Sequence, residues 1–112
     1  MRYLLVCLSA TLLCAQTIDL QHALTGPRQR IDAIDDEIVK LLNERAQIVR
    51  DVGLIKKKYN APVSAPGREE QVVKKAAGQA RAPLTSPAVE AIYRTILHEM
   101  SAMEQAEVEN QR

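Results

Sequence analysis

The sequence contains no Trp and no Phe, and only three Tyr among its 112 residues. Strands are enriched in aromatic and β-branched residues, so a core almost without rings favours helices packed on helices. Five Pro and four Gly are too few for a linker-rich or collagen-like chain, and a charged fraction of 26% is ordinary for a globular protein. The length corresponds to one domain. The sequence therefore predicts an all-α fold.

An excess of one charge is also missing. Lys and Arg number 15 and Asp and Glu number 14, which gives a formal net charge of +1. Modules that bind nucleic acids usually carry a clear cationic excess, so we expect no nucleic-acid partner.

The first 17 residues resemble a secretory signal peptide. A single early cation, Arg2, precedes an apolar run from Tyr3 to Ala15. A run of about 13 residues fits the apolar region of a signal peptide and is shorter than the roughly 20 residues that span a bilayer. We therefore expect cleavage after about Ala15 or Thr17, a mature domain over residues 18–112, a periplasmic or secreted location, and no stable membrane anchor.

Two alternatives remain for this segment. A lipid anchor at Cys14 is disfavoured because the bulky Leu13 precedes it, and a buried N-terminal helix is the structural alternative. Both cysteines, Cys7 and Cys14, lie within residues 1–17. The mature chain would then have no disulfide, no thiolate metal site and no cysteine nucleophile.

The remaining sequence predicts three helices: one long, one short and one of medium length. The longest is expected from Pro27 to Tyr59, because Pro fits a first helical turn. Apolar residues recur along it at spacings of three and four, at Ile31, Ile34, Ile38, Leu41, Leu42, Ile48, Val49, Val52 and Ile55. Some 32 residues form a rod of about 48 Å, which the rest of one small domain cannot cover. We therefore expect a homodimer.

Two shorter helices follow after breaks that contain Pro and Gly. The second is predicted from Arg68 to about Ala80 and the third from Pro87 to about Glu107. Ser86, directly before Pro87, is the expected N-cap of the third helix.

Several polar residues accompany the apolar stripes. Arg45 and Lys56 are eleven residues apart, which places them within about 20° of the same helix face. Arg28 lies about 100° around the helix from Arg45, so it suits a pocket formed by a second chain better than the pocket of Arg45. Ser101 and Gln105 share a face of the third helix. Each also has a structural interpretation, as a side chain at the edge of a helix pair or on the surface.

The second helix begins with a further polar pair, Arg68 and Glu69. The whole set is cationic and amide-bearing, with no obvious nucleophile and no cluster of metal ligands, so we expect neither a metal nor a cofactor. Such a set suits a small dianionic ligand whose reaction needs binding and electrostatic stabilisation.

Five ordered blocks of sequence resemble the all-α chorismate mutase family. They are Arg28-x-x-Ile31-Asp32-x-Ile34-Asp35, Leu41-Leu42-x-Glu44-Arg45, Val52-Gly53-x-x-Lys56, Pro62-Val63 with Arg68-Glu69, and Ser101-x-x-x-Gln105. The resemblance covers about residues 24 to 108. It implies an intertwined homodimer of three-helix chains that converts chorismate to prephenate without a cofactor.

The resemblance also implies a role for each site residue. Lys56 and Gln105 would donate to the ether oxygen of the substrate. Arg45, and Arg28 from the opposite protomer, would bind its two carboxylates. The remaining substrate contacts would come from Arg68, Glu69 and Ser101. Glu69 would accept from the ring hydroxyl, Arg68 would help through its backbone or by shaping the pocket, and Ser101 would contact the ring carboxylate.

Two functional alternatives and one departure accompany the resemblance. An isochorismate–pyruvate lyase uses the same scaffold. A non-catalytic helical dimer that binds a partner helix or an anionic metabolite is an alternative of another class. Ala65 stands where many family members carry Asp, so a side-chain contribution is missing at that position.

Overall fold

The computed structural model describes residues 2–111, with side chains from Thr17 to Gln111. Within this range the chain forms three helices and no strand: α1 (Arg2–Lys58), α2 (Pro66–Ala77) and α3 (Ser86–Asn110). The all-α, three-helix prediction is confirmed. The side chains of residues 1–16, nearly all of the predicted signal peptide, lie outside the described ones, and the cleavage stays a prediction. Among the described residues, no helix has the length and apolar composition needed to cross a bilayer.

The start predicted for the first helix is wrong. α1 begins at Arg2, and Pro27 lies inside the helix and does not open it. A proline within a helix removes one backbone N–H donor, but residues on both sides can keep helical geometry. Nearby, the hydroxyl of Thr25 donates to the carbonyl oxygen of Gln21 at 3.0 Å, and Arg28 Nη1 donates to Gln21 Oε1 at 2.8 Å.

The chain divides into two compact units, Met1–Leu42 and Asn43–Arg112. In the described part of the first unit, α1 carries an exposed apolar stripe. The exposed fractions are 56% for Ile31, 58% for Ile34, 49% for Ile38 and 58% for Leu41. Large apolar side chains at this spacing form one helix face, and in the described part of the chain this face is exposed.

The second unit contains the end of α1 together with α2 and α3. The helix end is set by Asn60, which has a positive φ of 52°, a conformation that Asn tolerates better than most residues. The backbone N–H of Ala61 then donates back to the carbonyl oxygen of Lys56 at 2.8 Å. α2 packs on α3 around the buried side chains of Val73, Ala76 and Val89.

The N-terminus of α3 differs from its prediction by one residue. Thr85 is the N-cap, and its hydroxyl oxygen accepts from the backbone N–H of Ala88 at 3.3 Å. Ser86, the expected cap, is the first residue of the helix, and its hydroxyl donates to the carbonyl oxygen of Ala77 at 3.0 Å. Pro87 in the first turn is compatible with either position, since it needs no N–H partner there.

Candidate active site

A cavity of about 280 Å³ lies within the second unit, between the end of α1, α2 and α3. Five of the predicted site residues line it: Arg45, Lys56, Arg68, Glu69 and Ser101. Most of the remaining wall is apolar and consists of Ile48, Val49, Val52, Val63, Ala65, Val72, Leu97 and Met100. The volume is close to the lower end of the range for small-molecule sites.

The cations come from two helices. Arg45 and Lys56 belong to α1 and Arg68 to the first turn of α2. The eleven-residue spacing predicted that Arg45 and Lys56 face the same way, and both line the cavity. The described lining also holds two carboxylates, so its ionised groups sum to a formal charge of +1. The cavity therefore suits an anionic ligand.

Lys56 has two protein partners at the cavity. Its Nζ donates to the carbonyl oxygen of Val63 at 2.7 Å and to Glu104 Oε1 at 2.9 Å. An ammonium group has three N–H donors, so two such bonds leave one for a ligand.

Glu69 and Ser101 join α2 to α3 at the cavity wall. Ser101 Oγ donates to Glu69 Oε1 at 3.3 Å, and both residues are half-buried. The bond leaves the second carboxylate oxygen of Glu69 able to accept from a ligand hydroxyl.

Two predicted site residues lie outside this cavity lining. Gln105 is exposed, lines an adjoining depression together with Ser101, and its amide donates to Glu109 Oε1 at 2.7 Å. Arg28 belongs to the first unit, where it is bonded to Gln21.

Glu104 was not predicted from the sequence as a site residue. It is the buried charged residue among the described residues of the second unit, with an exposed fraction of 5%. It lies three residues after Ser101, on the face that turns toward α1. A small residue on α1, Gly53, one turn before Lys56, is the signal that could have indicated a close approach of another helix there.

No group of three or more His, Cys, Asp and Glu side chains suitable for a metal occurs among the described residues. The groups that line the cavity can bind carboxylates through guanidinium forks and donate hydrogen bonds from an ammonium and a hydroxyl. Such groups hold an anion and stabilise negative charge that develops on it.

Comparison with known proteins relates this arrangement to one family. The chorismate mutase type II family matches residues 27–105. A bifunctional chorismate mutase/prephenate dehydratase of Neisseria gonorrhoeae is 37% identical over 90 residues, which are 80% of this chain and 24% of that protein. A similar bifunctional protein of Aquifex aeolicus is 48% identical over 48 residues, which are 43% of this chain and 13% of that protein.

A further sequence relative and a solved structure are also chorismate mutases. A chorismate mutase of Methanocaldococcus jannaschii is 40% identical over 45 residues, 40% of this chain and 46% of that protein. The fold is similar to the crystal structure of chorismate mutase from Helicobacter pylori in complex with prephenate, with a TM-score of 0.70, 24% identity, and coverage of 77% of this chain and 93% of that one. This chain spans about a quarter or less of the length of the bifunctional relatives. The family match over most of its length nevertheless places the chain in the chorismate mutase type II family.

Proposed function

We propose that the protein is a chorismate mutase that converts chorismate to prephenate. The observation that carries the proposal is the cavity in which Arg45, Lys56 and Arg68 converge from two helices beside an aliphatic wall. Chorismate carries two carboxylates and an enol ether on a ring, which match guanidinium groups, a hydrogen-bond donor and an apolar wall respectively.

The rearrangement needs no proton and no redox step. The bond between the ether oxygen and the ring breaks while a carbon–carbon bond forms, and all atoms stay in the product. Negative charge grows on the ether oxygen in the transition state, so a donor placed there lowers the barrier. We assign this donor to Lys56. Two of its ammonium N–H groups bond to Val63 and Glu104, and the third is left for the ether oxygen.

The other roles follow from position in the cavity. Arg45 binds one carboxylate through its planar fork, Ser101 contacts the ring carboxylate, and Glu69 accepts from the ring hydroxyl. Arg68 shapes the pocket and adds positive charge at its edge. Gln105 supplies the second donor to the ether oxygen after its amide exchanges Glu109 for the substrate.

We further propose that two chains form a homodimer and that Arg28 of one protomer binds the second substrate carboxylate in the cavity of its partner. Support comes from the exposed stripe of Ile31, Ile34, Ile38 and Leu41, since exposed apolar faces of this kind mark protein interfaces. The bond of Arg28 to Gln21 is on an exposed surface and is weak enough to be exchanged for a carboxylate.

An assay of the full chain with chorismate and, separately, with isochorismate tests the reaction. We expect prephenate from chorismate, and no salicylate with pyruvate from isochorismate. The variant Lys56→Ala should lose turnover by on the order of 100-fold to 1000-fold, as when an oxyanion donor is removed. Lys57→Ala is the matched control, because Lys57 Nζ donates to the carbonyl oxygen of Gln111 and does not line the cavity. Equal turnover in the two variants would refute the assignment.

We also propose that residues 1–17 direct export and are removed, on the basis of the single cation and the short apolar run described above. The test is to express the full chain in a bacterium, separate the cytoplasmic, periplasmic and secreted fractions, and measure the mass of the protein in each. The exported protein should begin at Gln16 or Ile18. An unprocessed chain that stays in the cytoplasm would contradict the proposal.

A further inference from the structure

Gly53 and Glu104 meet where α1 and α3 approach each other. Gly53 is buried, and a Cβ atom at its position would lie 2.9 Å from Glu104 Cγ and 3.4 Å from Val108 Cγ2. Carbon atoms in contact normally lie about 3.5–4.0 Å apart, so any larger residue at position 53 would displace the Glu104 side chain. The Glu104 side chain can therefore lie against α1 only because position 53 is a glycine.

The carboxylate that this space admits is directed at Lys56. The Nζ–Oε1 distance is 2.9 Å, and the side chains are 22% and 6% exposed for Lys56 and Glu104 respectively. A carboxylate as buried as this one is costly unless it is paired. The pairing with Lys56 satisfies it, so each group holds the other at the cavity wall.

A second acceptor restricts Lys56 further. The carbonyl oxygen of Val63 accepts from Nζ at 2.7 Å, from the segment between α1 and α2. A lysine side chain has four flexible bonds and would otherwise extend its charge toward water. Two acceptors from different segments fix the direction of the remaining N–H, which the rearrangement requires to point at the ether oxygen.

The charge of Glu104 makes a mere packing role a poor explanation. It adds a negative charge to a cavity that, under the proposed function, receives a dianion. An apolar side chain of similar volume would fill the same space without that repulsion and often with equal stability. A carboxylate at this position is explained if it holds the ammonium group of Lys56 in place.

We propose that Glu104 is a positioning residue for the ammonium group of Lys56, and that Gly53 provides the space for it. This inference rests on the proposed function, since it assigns the purpose of the positioning to catalysis. Glu104 acts through Lys56 and not by contact with the substrate.

Two variants of similar shape separate positioning from packing. Glu104→Gln keeps an oxygen that can accept from Lys56, whereas Glu104→Met fills the space without a comparable acceptor. We expect kcat of Glu104→Gln to stay within about threefold of the wild type, and kcat of Glu104→Met to fall by about 10-fold to 100-fold, the scale of a misplaced catalytic group. KM should change less than kcat in both. Equal kcat in the Gln and Met variants would overturn the proposal.

The role of Gly53 is tested by coupling. Gly53→Ala should lower kcat by about 10-fold or more, because the added methyl group displaces Glu104. The helix backbone itself should not be destabilised, since Ala is more favourable than Gly within a helix. In a Glu104→Ala background the same change should have little further effect on kcat. Gly67→Ala is the matched control, because its added Cβ would meet nothing within 4 Å. Additive losses from Gly53→Ala and Glu104→Ala would contradict the inferred link.

A measurement without substrate distinguishes failure of this inference from failure of the proposed function. In ¹⁵N–¹H spectra of lysine ammonium groups, the Lys56 signal should be observable in the wild type and in Glu104→Gln and lost in Glu104→Met. If the signal follows this pattern and chorismate is not converted, positioning of Lys56 is supported and the proposed function fails. If chorismate is converted and the Lys56 signal is indifferent to Glu104, the proposed function stands and this inference is overturned.

Discussion

The hydroxyl of Ser101 on α3 donates to Glu69 Oε1 on α2 at 3.3 Å, at the wall of the cavity. The bond orients a carboxylate from one helix with a side chain from the other. We expect Ser101→Ala to raise KM several-fold with a smaller effect on kcat, because both proposed contacts are made to parts of the substrate that do not react. Steady-state kinetics with chorismate measures this.

Ser86→Ala is the control for this prediction. Ser86 Oγ also makes one hydrogen bond between helices, to the carbonyl oxygen of Ala77 at 3.0 Å, but it does not line the cavity. The variant Ser86→Ala should therefore leave KM for chorismate unchanged. A rise in KM of the same size in both variants would point to a general effect on helix packing.

A mixing experiment tests the shared site of the proposed dimer. Arg28→Ala and Arg45→Ala should each be strongly impaired, since each removes a carboxylate partner. After equal amounts of the two variants are unfolded together and refolded, mixed dimers contain one site with both changes and one intact site. Random pairing then restores about a quarter of all sites, because half of the dimers are mixed. Activity that stays at the level of the separate variants would refute a site shared between protomers.

The exposed stripe on α1 gives a second prediction about assembly. Ile34→Lys should shift the protein from dimer to monomer in sedimentation velocity, because it places a charge in an apolar interface. Val39→Lys is the matched control. Val39 is equally exposed, at 56% against 58% for Ile34, but it lies about 120° around the helix from the centre of the stripe. Retention of the dimer by Ile34→Lys would place the interface elsewhere.

The sequence predicted the elements of the fold better than their ends. The Pro and Gly between helices indicated α2 and α3 within a few residues, since these residues interrupt helices for local reasons. Pro27 misled the prediction because a proline fits both a first turn and, at a cost, a helix interior. Whether Pro27 lies in a first turn or in a helix interior depends on the residues before it, which here are helical.

The candidate site was predictable where one helix determines the geometry. The spacing of Arg45 and Lys56 on α1 fixes their common direction before any tertiary contact forms. The role of Glu104 depends on how closely α3 approaches Gly53, and a charged residue on a helix is usually exposed. Such a contact between residues far apart in sequence has no local signature.

α2 begins without a side-chain cap, which gives a stability prediction. Ala65 occupies the N-cap position, and its methyl group cannot accept from the free N–H groups of the first turn. Ala65→Asn should raise the free energy of unfolding by about 1 kcal/mol, measured by urea denaturation. Asn adds no charge to the cavity that Ala65 lines. Ala61→Asn, in the turn after α1, should give no comparable gain, and equal gains would argue against capping.

An exposed ion pair between α2 and α3 predicts a pH effect. Arg94 lowers the pKa of Glu70 below its usual value, first through hydrogen bonds of 3.2 Å and then through Coulomb attraction. Because the folded-state pKa is lowered, the stabilisation is present above the pKa of the unfolded chain and is lost as pH falls through the folded-state pKa.

The Glu70 carboxyl signal in an NMR titration should therefore move at lower pH in the wild type than in Arg94→Gln. The stability difference between these two proteins should be small at neutral pH, as for surface pairs in general, and vanish in acid. Arg50→Gln, which removes a pair with Glu107 instead, should leave the Glu70 titration unchanged. A Glu70 titration that is the same with and without Arg94 would contradict the assigned cause.

The aliphatic wall of the cavity has a practical consequence for spectroscopy. Ile48, Val52 and Leu97 contribute no near-ultraviolet absorbance, and the whole sequence contains no indole. One tryptophan introduced beside the cavity, for example by Val63→Trp, would be the sole indole fluorophore of the protein. With excitation at wavelengths that tyrosine does not absorb, its emission would report events at that wall without background from the three tyrosines.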